Sequence, residues 1–268
     1  MRLLTALVFA VQAMMLAAPA QAQDLSSFSK AERADILRFA ESNSLFVLYH
    51  EVGHVLIDQL GLPVLGYEED AADNYATWTL ISEGTPDAYD TLERSIKGWL
   101  LSGVAYGSGT YEEDYSDGYS LDKERAMQIL CLMVGSNGAA FREMATFHQI
   151  PRERQDSCRW DYDLVDRSLA SLLADKVAGA NGGTEVNVTY RDGGRRLRLA
   201  ERAFRASGVF DKVADHLRHG YRLKNPVTFT ARRCDEANAF YDPNTIEIIF
   251  CYELMQDFID LYAADLRE

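Results

Sequence analysis

Positive charge is scarce in this chain. Across 268 residues, 27 lysines and arginines face 41 aspartates and glutamates, for a formal net charge of −14. A surface so poor in cations repels a phosphate backbone, which excludes nucleic acid as a partner. Long apolar runs are scarce too. Past Leu16 no stretch approaches the ~20 apolar residues of a membrane-spanning helix. Cysteine is limited to Cys131, Cys158, Cys234 and Cys251. None of them shows Cys-x-x-Cys spacing, so a thiolate metal site is excluded. Internal repeats and low-complexity tracts are missing as well.

The N-terminus has the layout of a secretory signal peptide. Arg2 supplies the positive start, Leu3 to Leu16 the apolar core, and Ala20-Gln21-Ala22 the small residues that a signal peptidase reads. The expectation is cleavage after Ala22 and an exported protein, periplasmic or secreted. No cysteine follows the cleavage site to carry a lipid, and the apolar core is too short for an anchor. Four cysteines in an exported chain imply two disulfides. Three pairings are possible, and the sequence-local one, Cys131–Cys158 with Cys234–Cys251, is favoured.

The remaining residues, 23–268, predict an α+β domain that is mostly helical with a small β-sheet. Residues 23–180 read as helical. A capping box at Ser29 to Glu32 opens a helix to Glu41. A second, strongly apolar helix spans Leu45 to Leu60 and stops at Gly61-Leu62-Pro63. Further helices are expected over 67–81, 85–102, 121–134, 139–147 and 161–177, with a polar, tyrosine-rich loop at 103–118. After the glycines at 179–183 the pattern changes. Residues 184–268 hold strands at 185–190, 227–231 and 246–251, the last two joined by the turn Asp242-Pro243-Asn244. Two short helices reach His219, and one from Glu253 to Leu266 closes the chain. This strand-containing part is expected to complete the same site as the helical part.

Within the apolar second helix stands His50-Glu51-Val52-Gly53-His54. Histidines at i and i+4 share one helical face, so both imidazoles can reach one ion. Two histidines and a glutamate in so apolar a helix are costly without compensation, which a metal would provide. Glu51 projects beside that face, where it can act as general base on a zinc-bound water. Catalytic zinc takes three protein ligands. On the next helix Glu69 can supply the third, and Asp73, one turn on, can orient a ligand histidine. Glu68 and Asp70 read as a solvated helix start.

These residues resemble the gluzincin metallopeptidases, whose pattern is His-Glu-x-x-His followed by Glu-x-x-Ala-Asp. The longer string from His50 through Gly61-Leu62-Pro63 to Asp73 is similar to a bacterial metallopeptidase family known as a domain of unknown function. The resemblance implies a zincin-like fold, zinc as cofactor, His50, His54 and Glu69 as ligands, and Glu51 as catalytic base. A second likeness covers Asn238 to Phe250. Asn238-Ala239-Phe240-Tyr241 is similar to the substrate-side strand of neprilysin-like peptidases, and the cysteine-flanked segment resembles one in the same unnamed family. It implies that Asn238 and Ala239 hold a peptide substrate as an added strand. In gluzincins that strand precedes the zinc helix, whereas here it follows by about 180 residues. Such a permuted order requires the first and last helices to pack together with the chain ends close.

The reaction expected is zinc-dependent hydrolysis of a peptide or protein substrate. The alternatives are a non-catalytic peptide-binding protein with a structural zinc, and a zinc amidase acting on cell-wall peptide. His148, His216, His219, Tyr119, Tyr241 and Arg125 are candidates for a transition-state donor, with His216 and His219 expected at the surface.

Overall fold

In the computed structural model, which describes residues 25–115, 120–178 and 182–267, the first two expected helices are one. Helix α1 (Lys30–Leu60) runs unbroken for 31 residues. Ser42-Asn43-Ser44 looked like a break, because such side chains compete for backbone hydrogen bonds. Here all three are buried, and two find partners inside the helix packing. Asn43 Nδ2 donates to the carbonyls of Phe39 (2.9 Å) and Arg94 (3.2 Å). Ser44 Oγ donates to Met255 Sδ at 3.4 Å. The helix starts on the Ser29–Glu32 capping box and ends at Gly61, whose φ of 61° is left-handed and suits glycine.

Helices α2 (Glu68–Glu83) and α3 (Pro86–Tyr106) follow, then α4 (Asp122–Ser136), α5 (Gly138–Phe147) and α6 (Arg152–Leu173). Helix α3 runs four residues into the expected loop. Helix α6 starts at Arg152, right after Pro151, rather than at 161, and this places Cys158 on a helix facing Cys131 of α4. The two helices touch closely: a Cβ on Gly135 would lie 2.3 Å from the Cys158 carbonyl oxygen. The expected leader at 1–22 and Tyr119 lie outside the described residues.

The C-terminal part comprises β1 (Val186–Tyr190), α7 (Arg198–Ser207), α8 (Val209–Gly220), β2 (Val227–Arg232), β3 (Ala239–Asp242), β4 (Glu247–Cys251) and α9 (Tyr252–Asp265). The fold is therefore α+β. The sheet order is β1-β2-β4-β3. Strands β1, β2 and β4 are mutually parallel, and β3 is an antiparallel edge. This corrects the expectation for the Asp242-Pro243-Asn244 turn, which joins β3 to β4 and not β2 to β4. Strands β2 and β4 are largely buried; β4 carries an almost continuous apolar run, as suits a strand covered on both faces, whereas β2 interleaves Thr228 and Thr230 with its apolar residues. The four-residue β3 is half-exposed and too short to announce itself.

Helix α1 is the axis of the molecule, touching α2, α3, α8, α9 and β3. Helix α9 runs antiparallel to it. Phe39 stacks on Tyr262 with ring centroids 4.4 Å apart, and Tyr262 donates its hydroxyl hydrogen to Asp35. At the ends, Arg267 Nη2 lies 3.2 Å from Ser27 Oγ. The first and last helices thus pack together with the described ends adjacent. Among the described residues no helix is long and apolar enough to cross a membrane. Both sequence-local disulfides form, Cys131–Cys158 and Cys234–Cys251, and no cysteine is free. Two disulfides suggest an oxidising, exported environment.

Two outcomes follow for stability. Removing the Cys131–Cys158 bond by a double serine substitution should cost about 3 kcal/mol through the loop that it closes, read as a lower denaturant midpoint. A Cβ at Gly53 would lie 2.9 Å from Ala72 Cα on α2. Gly53→Val should therefore destabilise the fold by about 1–3 kcal/mol, seen in thermal melts. A Gly53→Val protein as stable as the parent would show that α1 and α2 are not held this closely.

Candidate metal centre

The close approach of Gly53 to Ala72 seats the first turn of α2 against the middle of α1. Glu69 is thereby carried to the histidine face. His50 Nε2 and His54 Nε2 lie 3.0 Å apart. Glu69 Oε2 is 3.2 Å from the former, and Glu69 Oε1 is 3.5 Å from the latter. Each imidazole turns its other nitrogen to a carboxylate. His50 Nδ1 donates to Asp73 at 2.8 Å, and His54 Nδ1 donates to Glu68 at 2.8 Å. With both Nδ1 protons so engaged, two Nε2 lone pairs and a carboxylate point at one place.

That arrangement fits a cation. A tetrahedral ion with bonds of about 2.0–2.1 Å holds its donors about 3.3 Å apart, and the three separations here bracket that figure. The electrostatics agree. Burial opposes a charge on His50, yet hydrogen bonds with Asp73 and Glu69 outweigh it and lift its pKa to about 9. His54 is raised too, with Glu69 overcoming burial. Glu69 is held far below the usual carboxylate range, because both imidazoles offset its desolvation. The site thus draws positive charge to one point.

Behind His50 the support continues. Asp73, 5% exposed, accepts from Arg125 Nε at 2.6 Å and from Arg125 Nη2 at 2.8 Å. The Arg125 guanidinium lies over the Trp99 ring, 3.7 Å from its centroid. Arg125 is therefore occupied with Asp73. Glu51, 4% exposed, stands beside the donor set without joining it. Burial raises its pKa, with the backbone N–H of Tyr241 acting weakly the other way. The edge strand β3 packs on α1 there.

The donors open onto a cleft of about 1050 Å³ that also meets Asn238, Ala239, Phe240 and Tyr241. Asn238 is exposed and Ala239 buried. The Asn238 carbonyl accepts from Cys251 N of β4 at 3.1 Å. Alternation along the antiparallel ladder then turns the N–H and C=O of Ala239 and Tyr241 away from β4, toward the cleft. The Tyr241 hydroxyl donates to Asp58 at 2.6 Å.

Other candidates fall elsewhere. His216 is half-buried and not at the open surface that was expected. It packs edge-on against Tyr49 and hydrogen-bonds the Tyr75 hydroxyl at 3.0 Å, behind α1. His219 is exposed, and His148 lines a second cavity beyond Arg125. Glu68 is the solvated helix start that was expected, and it is also the partner of His54. Trp99, Tyr106 and Asp257 also meet the cleft and carried no motif. Their positions depend on where α3 and α9 cross α1. Cys131, Cys158 and Asp161 bring donor atoms together as well, but both sulfurs there are consumed by the disulfide.

No curated protein and no solved structure matches this chain. A family described as "Putative metallopeptidase" matches residues 12–173 and 193–268. The match spans both the helical part that carries the donor set and the strand-containing part that faces it, and the chain belongs to this metallopeptidase family.

Proposed function

We propose that the chain is an exported zinc peptidase in which His50, His54 and Glu69 hold the ion and Glu51 is the general base. The convergence of two imidazoles and one carboxylate within 3.0–3.5 Å, with Glu51 buried alongside, carries this reading. Two nitrogens and one carboxylate oxygen are a donor set that suits zinc and leaves a position open. When bound, zinc would polarise the scissile carbonyl and acidify water.

The residues of the chain do the rest. Glu51 takes a proton from the attacking water as the oxygen bonds to the carbonyl carbon. It then delivers that proton to the amine nitrogen as the C–N bond breaks. Desolvation, which raises the Glu51 pKa, suits both halves of this transfer. Asp73 fixes the His50 tautomer, and Arg125 fixes Asp73. The free edge of β3 offers the Ala239 backbone to an extended substrate, with Asn238 at its start. A structural zinc in a non-catalytic binding protein would leave the buried Glu51 carboxyl without a task, and the peptidase reading is favoured over it.

The purified chain should hold about one zinc. His54→Ala should lose it, whereas Glu51→Gln should keep it and lose peptide hydrolysis, because an amide accepts no proton. Metal analysis and cleavage of a broad peptide library read both outcomes. Turnover by Glu51→Gln at the parent rate would end the proposal for that residue. The metal-free protein should also respond to pH. A raised His50 contributes stability that is complete below its unfolded pKa of about 6.5 and is lost as pH rises through about 9. Melts in chelator should show that decline, and zinc should remove it, since the ion replaces the proton.

A further inference from the structure

Away from the donor set the cleft continues toward the N-terminal half of α1, between α1, α3 and α9. Helix α9 presents one face to it, with Leu254, Asp257, Phe258 and Leu261 at helical spacing. Phe46 of α1 and Trp99 of α3 complete walls that are largely apolar. The contact of Ser44 with Met255 sets the level of this region. His50 lies six residues further along α1, roughly 9 Å by the helical rise. The region is therefore a side pocket of the cleft, within reach of a substrate residue bound beside His50.

Into those walls α9 sets one carboxylate. Asp257 is half-buried, and its hydrogen-bond partner is the Tyr106 hydroxyl at the mouth. Among the described residues no lysine, arginine or histidine pairs with it, and the nearby charge that acts on it is another acid, Asp260. Arg125, the cation that lines the same cleft, is taken up by Asp73. A carboxylate kept in an apolar recess without a counter-ion is costly on its own terms. It is compensated when a ligand brings the opposite charge. An extended lysine or arginine side chain carries its charge about 6 Å from Cα, on a methylene stem that apolar walls accept.

We propose that this recess is a specificity pocket for a lysine or arginine side chain of a polypeptide substrate, with the stem against Phe46, Trp99 and Phe258 and the charge on Asp257. The proposal rests on the peptidase reading and names its substrate class. Tyr106, which is 61% exposed, gives up its hydrogen bond when the cation enters. An aliphatic side chain of equal length fills the same walls but leaves the carboxylate desolvated, and is discriminated against.

The test compares matched peptides with lysine, norleucine or glutamate at one position, using the zinc-loaded protein and kcat/KM. The parent should favour lysine over norleucine by about tenfold or more. The ratio should fall to near one in Asp257→Asn, persist in Asp257→Glu, and reverse toward glutamate in Asp257→Arg. Zinc content and melts identify any variant that fails to fold. A parent ratio near one, or an unchanged ratio in folded Asp257→Asn, overturns the proposal. If no peptide is cleaved, the peptidase reading fails by itself, and fluorescence polarisation with the labelled lysine and norleucine peptides decides the pocket. Tighter lysine-peptide binding that is lost in Asp257→Asn supports it, and equal binding of the two peptides overturns it.

Discussion

The distance between α1 and α2 governs most of what this molecule can do. Gly53 meets the backbone of Ala72 where a side chain would collide, and two helices so close share a seam on which their charged residues must meet. His50 and His54 flank Gly53 on α1, and Glu69 and Asp73 flank Ala72 on α2. Any wider spacing would separate nitrogen from carboxylate and leave four ionisable groups half-desolvated and unpaired. Small residues at the crossing and large polar ones around it form a single device.

The same seam explains why the support runs deep. Asp73 is almost wholly buried, and a carboxylate there needs more than one partner. It has His50 on one side and the Arg125 fork on the other, and Arg125 in turn lies on Trp99. Elements α1, α2, α3 and α4 are thus linked through one line of side chains. Rigidity of that kind is what a site needs if its donors are to stay in place as an ion and a substrate come and go. On the cleft side of α1, beside the donor set, Glu51 faces the backbone of Tyr241 in β3, whose N–H favours its charged form. The edge strand is thereby coupled to the proposed base, although about 190 residues separate them in the chain.

Disulfides reinforce both halves. Cys131–Cys158 ties α4, the helix that bears Arg125, to α6. Cys234–Cys251 closes the segment that leads into β3, and so steadies the edge that faces the cleft. The last helix then returns along α1 and supplies the wall that holds Asp257. Each wall of the cleft therefore comes from a different stretch of sequence, with α1 as the common floor.

Much of this was legible in the residues themselves. Spacing of i and i+4 puts His50 and His54 on one face wherever a helix forms, and Glu69 and Asp73 obey the same rule. Caps at Ser29 and Gly61, the alternation at 186–190 and the sequence-local cysteine pairs are likewise local facts that the fold retains. What was misread depended on distant partners. The polar triplet at 42–44 stays helical because Arg94 and Met255 come to it. His216 is half-buried because Tyr49 and Tyr75 pack against it, and Glu68, solvated as expected, has a further role because His54 faces it. Strand order, the parallel pairing of β2 with β4, and the meeting of Arg125 and Asp257 at one cleft have no local signature. They follow from how helices cross and sheets pair, which depends on the packing of whole surfaces. Local spacing alone dictates the chemistry that α1 and α2 can offer. What stands around that chemistry is set by packing, because burial and close approach exist only once the chain has folded.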